Sequence, residues 1–172
     1  MKEKYELRPI SKEAIPGALA KAERYRLLNE PGEAESICRD VLRADPGNQD
    51  AVIMLILATT DQFGRKPGVG VNQARELLPR VAQEYERAYF GGVISERWGK
   101  AQLRTKAPGA IAYHWLQEAM ALFETAISLR PASNEEAVLR WNACARLLND
   151  QEAPGTQDAE SSPWLDEDVP PK

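Results

Sequence analysis

Two stretches of this chain share one skeleton: Ala34 to Pro46, "AESICRDVLRADP", and Ala119 to Pro131, "AMALFETAISLRP". In each, an alanine is followed by a larger apolar residue at i+4 (Cys38, Phe123). A further apolar residue follows at i+7 (Val41, Ala126), and a proline at i+12 (Pro46, Pro131). The first three positions fall on one face of a helix. The proline closes it, because its ring and missing N–H cannot continue the ladder. The alanine lets a second helix come close, and the larger side chain fills the gap behind it. Ala74, Leu78 and Val81 repeat the first three places without the proline.

Working outward, the helical period recurs almost everywhere. Ser11 can cap a helix that carries Ile15, Ala18, Leu19, Ala22 and Tyr25 on one side, provided Pro16 lies in its first turn. "NEPGE" at 29–33 breaks it, and a second helix begins near Glu33. After "DPGN" at 45–48 a third helix, 49–63, is apolar nearly all round, which places it between neighbours. Asn72 is a good cap for a fourth helix with Ala74, Leu77, Leu78, Val81 and Tyr85, and Pro79 inside it predicts a kink or restart. The chain from Tyr85 to Leu103 is helical in character but weakened by Gly91-Gly92. "RTKAPGA" at 104–110 is a loop, a long helix then reaches about Leu129, and the last begins at Asn134. No stretch reads as a strand.

Helical pairs with short breaks and a repeated skeleton resemble the tetratricopeptide repeat family. The resemblance covers roughly 14–149 and is carried by the repeats ending at Pro46 and Pro131. Upstream, Ala18, Lys21, Ala22 and Tyr25 keep the small residue and the aromatic of the family's first helix, while Ile56 replaces the small residue in the next. Pro46 and Pro131 are 85 residues apart. With a period of about 34 residues, two repeats leave an excess of about 17, which belongs in the loops at 64–71 and 104–110. The resemblance therefore implies an all-α fold. It is a short right-handed solenoid of about three hairpins with a C-terminal capping helix (134–149), preceded by an N-terminal extension (1–13).

Composition bounds the function. At 172 residues, 43% apolar and 28% charged, the chain suits one globular domain. The apolar run Ala51 to Ala58 is too short for a bilayer, and "MKEKYELRPISKE" has no apolar signal region, so a cytoplasmic protein is expected. Cys38 and Cys144 fall on apolar helix faces and read as small buried hydrophobes. From Asp150 onward there are seven acids and one base, a net −6, so the remaining 149 residues carry +2. That stretch, 150–172, is rich in Pro, Gly, Ser and acid and reads as a disordered acidic tail. Two readings of it stand: an inert tail in which Trp164 is incidental, or a docking segment anchored by Trp164-Leu165, with Asp166 to Asp168 available to a basic patch.

Little here reads as chemistry. "GRKPGVGVN" at 64–72 lacks the Gly-Lys-Ser/Thr ending of a phosphate loop. It lacks the third small residue of the dinucleotide fingerprint, where Gln73 stands, and no strand precedes it. It reads as an inserted turn, with an anion contact through Arg65 and Lys66 as the competing reading. His114 is the single histidine; with two distant cysteines it makes no metal set, and it reads as a helix-surface or groove residue. Arg97, Lys100 and Arg104 lie at i, i+3, i+7, with Lys106 behind them and Trp98 beside them. They read as a solvated face or as a site for an acidic peptide. Nucleic acid is less favoured, because the body's net charge is small and no nucleic-acid motif is present.

The function that the resemblance implies is non-enzymatic, without cofactor or metal: an adaptor that binds a protein or peptide in a groove lined by the first helix of each hairpin. Helical phase places Leu19, Glu23, Arg26, Ile53, Leu57 and Thr60, then Arg97 and Lys100, along that groove. A charged subset of the family clamps a terminal carboxylate with Lys, Asn and Arg. Here Glu23, Ile53 and Leu57 occupy the corresponding region, so a partner with apolar anchors fits better. The acidic tail, through Trp164 and Leu165, is a candidate modulator. An anion or nucleotide site at 64–72 used with His114, and a nucleic-acid surface on the basic helix 97–106, are the alternatives.

Overall fold

The computed structural model describes residues 5–105 and 108–150, and over them the chain is all-helical with no strand. Seven α-helices follow one another: α1 (Ile15–Leu27), α2 (Pro31–Ala44), α3 (Gln49–Thr60), α4 (Val71–Arg75), α5 (Glu84–Arg104), α6 (Gly109–Leu129) and α7 (Glu136–Asn149). Each of α1/α2, α2/α3, α5/α6 and α6/α7 packs as a neighbouring pair, and α1 also touches α3, which touches α5.

Local chemistry places the breaks. Pro16 sits in the first turn of α1 and Pro31 opens α2, positions where the missing N–H is not needed. Between them Asn29 takes φ 61°, and the Glu30 N–H reaches back to the Tyr25 carbonyl, so a left-handed residue closes α1. Asn48 caps α3 by accepting from the Ala51 N–H at 2.9 Å. Ser11 precedes a 3₁₀ turn (Lys12–Ala14) and makes no capping hydrogen bond.

Three elements differ from the sequence reading. The third helix stops at Thr60 rather than 63, and Asp61 to Gly64 continue as turns. The fourth is far shorter than the pattern Ala74 to Tyr85 suggests. It runs only from Val71 to Arg75, Asn72 lies inside it, and Gly70 precedes it. Pro79 then sits in a 3₁₀ turn (Leu78–Arg80), and the chain extends at Val81 before α5 begins. Proline at that place cannot supply the N–H that a continuous helix needs. Conversely, Gly91-Gly92 do not weaken α5, which is continuous over 21 residues. Their lack of side chains is used for approach. A Cβ on Gly92 would stand 2.5 Å from the Phe123 ring, and one on Gly99 3.1 Å from the Trp115 Cβ. Helices α5 and α6 therefore come together along a stripe that any larger residue would wedge open.

Two apolar clusters result. The first joins α1 to α4 and includes Ala22, Ala34, Cys38, Val52, Ile56, Phe63, Ala74 and Val81, extending to Ile94 and Ala101 on α5. The second holds Val93, Leu116, Ala119, Phe123 and Cys144. Neighbouring residues Val93 and Ile94 thus belong to different clusters, and α5 is the wall between them. Both cysteines are fully buried, and burial pushes their thiols up, Cys38 to about 11 and Cys144 to about 12.

Candidate functional site

Helices α1, α3, α5 and α7 run side by side in the same direction. The side-chain links show the register. Arg26 on α1 meets Met54 and Asp61 at α3; Leu57 and Thr60 on α3 meet Arg97 on α5; and Glu96 on α5 meets Arg140 on α7. Parallel alignment brings the C-terminal ends of α1, α3 and α5 to one end of the molecule. A cleft of about 310 Å³ opens there.

Two carboxylates tie this row together. Asp61, just past the last turn of α3, accepts from Arg26 Nε at 2.7 Å and from Arg97 Nη1 at 2.5 Å. Arg97 Nη1 also donates to Thr60 Oγ1 at 2.7 Å. Burial pulls the Arg97 guanidinium below its ordinary value, and the Asp61 charge opposes that. On the next step of the row, Glu96 is only 2% exposed. It accepts from Arg140 Nη1 at 2.6 Å and pairs with Lys100 one turn along α5. Although burial opposes it, Glu96 holds Arg140 above its ordinary value, and Tyr89, whose hydroxyl accepts from Arg140 Nε at 3.0 Å, adds to this. An isolated buried carboxylate is costly, and two cations with good hydrogen-bond geometry offset that cost.

The cleft carries more positive charge than this row consumes. Arg26, Arg65, Arg97, Lys100 and Arg104 face Glu23 and Asp61, a formal excess of +3. Among the described residues neither Arg65 nor Arg104 has an acidic partner. Arg65 pairs with the Asn29 side chain, and Arg104 donates to the Phe63 carbonyl at 3.4 Å. At the rim Leu27 is 82% exposed. Charge and an apolar foothold thus lie within one opening.

Five of the eight residues assigned to the groove from helical phase line this cleft: Glu23, Arg26, Thr60, Arg97 and Lys100. Thr60 is buried, however, and serves as a strut, donating to the Leu57 carbonyl at 2.9 Å. The other three do not line it. Leu19 packs against the first apolar cluster, Leu57 against the second, and Ile53 is half-buried on α3. Sequence reasoning missed Asp61, Glu96 and Arg140 altogether. Asp61 lies one residue beyond the helix that ends at Thr60. Glu96 is an acid inside a basic run, and Arg140 sits on a helix read as a cap. Glu96 and Lys100 are an ordinary i,i+4 pair within α5, but the links that join the helices, Arg26 and Arg97 to Asp61 and Arg140 to Glu96, span 35 to 44 residues and leave no local signal.

The Gly-rich loop is accounted for by its own turn. Gly64 and Gly68 adopt φ 70° and 80°, which side chains rarely take. Gln73 reaches back, accepting from the Gly70 N–H at 2.7 Å and donating to the Gly68 carbonyl at 2.8 Å. The donor before α4 is therefore engaged within the loop, and Arg65 turns away from it to Asn29 and the cleft. His114 is exposed on α6, edge-on to Trp115 at 5.8 Å between ring centroids. Lys106 of the basic stretch 97–106, and Trp164 and Leu165 of the tail, lie outside the described residues. No helix among the described residues is long and apolar enough to cross a membrane. No protein-family model, curated protein or solved structure matches the chain.

Proposed function

We propose that the protein is a non-enzymatic interaction module which binds a peptide or helix of a partner protein, in the cytoplasm, through the cleft at the ends of α1, α3 and α5. On this reading the chain is a short tetratricopeptide-like solenoid of three hairpins. These are α1/α2, α3 with the shortened α4, and α5/α6, with α7 as the capping helix. The observation that carries the reading is the row of parallel helices α1, α3, α5 and α7, cross-linked by Asp61 and Glu96. Such cross-linking holds the cleft's cations in fixed positions before a ligand arrives, which lowers the ordering cost of binding. A segment that carries both carboxylates and a large apolar residue matches the cations and Leu27 together.

A random peptide library displayed on phage and selected on the immobilised full chain tests this. The expected result is enrichment of sequences combining acids with Trp, Phe or Leu. Their binding should fall by about tenfold or more when the exposed Arg104 is changed to Glu, the size expected for losing one charge-assisted contact. No enrichment, or enriched peptides indifferent to Arg104→Glu, would sink it.

A further inference from the structure

The occupant that the cleft fits is present in the same chain. We infer that the segment around Trp164 to Asp168 docks intramolecularly in the cationic cleft and competes there with outside ligands; this rests on the cleft being a peptide site, as proposed above.

Three observations converge. First, charge. The cleft has an excess of +3, and among the described residues Arg65 and Arg104, both exposed, have no acidic partner. The chain from Asp150 onward carries −6, with Asp166, Glu167 and Asp168 consecutive. Two larger grooves match it less well. One, of about 750 Å³ between the 3₁₀ turn, α5 and α6, balances Arg75 and Arg87 with Glu84 and Glu118. Another, of about 570 Å³, sets Arg39, Arg43 and Arg80 against Glu35 and Glu76, an excess of only +1, and Arg39 is already paired with Glu35.

Second, the point of departure. Because α7 runs parallel to α1, α3 and α5, its end at Asn149 lies at the end of the molecule where the cleft opens. Leu147 and Leu148 of its last turn border the same apolar cluster as Leu103 of the last turn of α5. Cys144, one turn earlier, lies within electrostatic range of Lys100 and Glu96. The fold thus starts the acidic segment from the end of the molecule that carries the cations.

Third, reach and shape. Trp164 is 15 residues beyond Asn149. That length of extended chain spans about 50 Å. Crossing the row from α7 to α1 takes about 30 Å at the usual helix spacing. That length of chain is enough to reach any point of the opening. Trp164-Leu165 immediately precedes the three acids, and exposed Leu27 stands beside Arg26 at the cleft rim, so an apolar anchor and adjacent charges meet their counterparts in one pose. A tethered ligand of this kind works at an effective concentration of order millimolar, so weak intrinsic affinity suffices.

Fluorescence anisotropy with a labelled synthetic peptide of residues 160–169, "ESSPWLDEDV", tests the inference on full-length chains. The parent is compared with a variant bearing Asp166→Asn, Glu167→Gln and Asp168→Asn, substitutions that leave the helical body untouched. The expected result is about tenfold tighter binding to the neutralised-tail variant, because the tethered competitor is gone. The gain should vanish when Arg104→Glu is added, and at ~0.5 M salt, where exposed charges are screened. Equal affinity for parent and variant overturns the inference, as does binding to neither. Protection that disappears on dilution of the parent also overturns it, since the tail would then act between copies. A library-selected peptide that binds parent and variant equally overturns the docking of the tail while leaving the cleft as a peptide site.

Discussion

Helices α3 and α5 meet the need for burial in opposite ways. Helix α3 is apolar nearly all round, and its following partner, α4, has shrunk to five residues. On the side away from α2 its cover is therefore assembled from pieces: Phe63 from the turn that follows it, Val69 from the loop, Ala74 from α4 and Val81 from the extended link. Helix α5 instead meets a full-length partner, and 21-residue α5 and α6 close along Gly91, Gly92 and Gly99 under Leu122, Phe123 and Trp115. One helix is completed by an irregular wrap and the other by a straight close contact. The difference teaches that a buried helix needs covered area, which a helix, a loop or a turn can supply equally well.

The largest expected effect breaks the straight contact. Phe123 is fully buried at the centre of the second cluster. Phe123→Ala should cost about 3–5 kcal/mol in urea denaturation, through lost burial and the cavity left under Gly92. A loss below about 1 kcal/mol would show that α5 and α6 are held elsewhere. Next, Gly92→Ala crowds the same ring from the other side. With a Cβ placed 2.5 Å from Phe123, the expected loss is about 1–3 kcal/mol, visible as a lower denaturation midpoint. An unchanged midpoint would mean that the interhelical approach is looser than the geometry states. The smallest effect probes the wrap. Gly68 has φ 80° and open space around it, so Gly68→Ala meets no clash and costs only backbone strain, about 1 kcal/mol. If Gly68→Ala proves as damaging as Gly92→Ala, the loop contributes more to the cover of α3 than its exposed position suggests.

Much of this was legible locally. The skeleton at Ala34 to Pro46 and at Ala119 to Pro131 marks α2 and α6, because an alanine against a large residue one turn on is a statement about one helix face. Their buried Ala34, Cys38, Val41, Ala119, Phe123 and Ala126 lie where that skeleton puts them. The apolar α3 announced its own burial. The collapse of the fourth helix was harder to read, since Leu77, Leu78 and Val81 keep helical spacing. Only Pro79 argued against it, and a proline alone does not say on which side a helix ends. Gly91-Gly92 misled for the opposite reason: glycine lowers intrinsic helicity, and the compensating contact with Phe123 is 31 residues away.

For the cleft, the sequence supplied the cations and the structure supplied their arrangement. Arg97, Lys100 and Arg104 could be grouped because a helix fixes their spacing within one element. That Glu96 in their midst is buried and bound to Arg140, and that Asp61 clamps Arg26 to Arg97, depends on how four separate helices are set side by side. By itself, then, the sequence determined the helical class, the helix faces and the acidic charge of the stretch from Asp150, all consequences of short-range period and composition. The tertiary structure alone decided which charges meet and which are left over at the opening. It also decided that α7 ends at the same end of the molecule as they do, because electrostatic pairing acts through space and its register is set by packing.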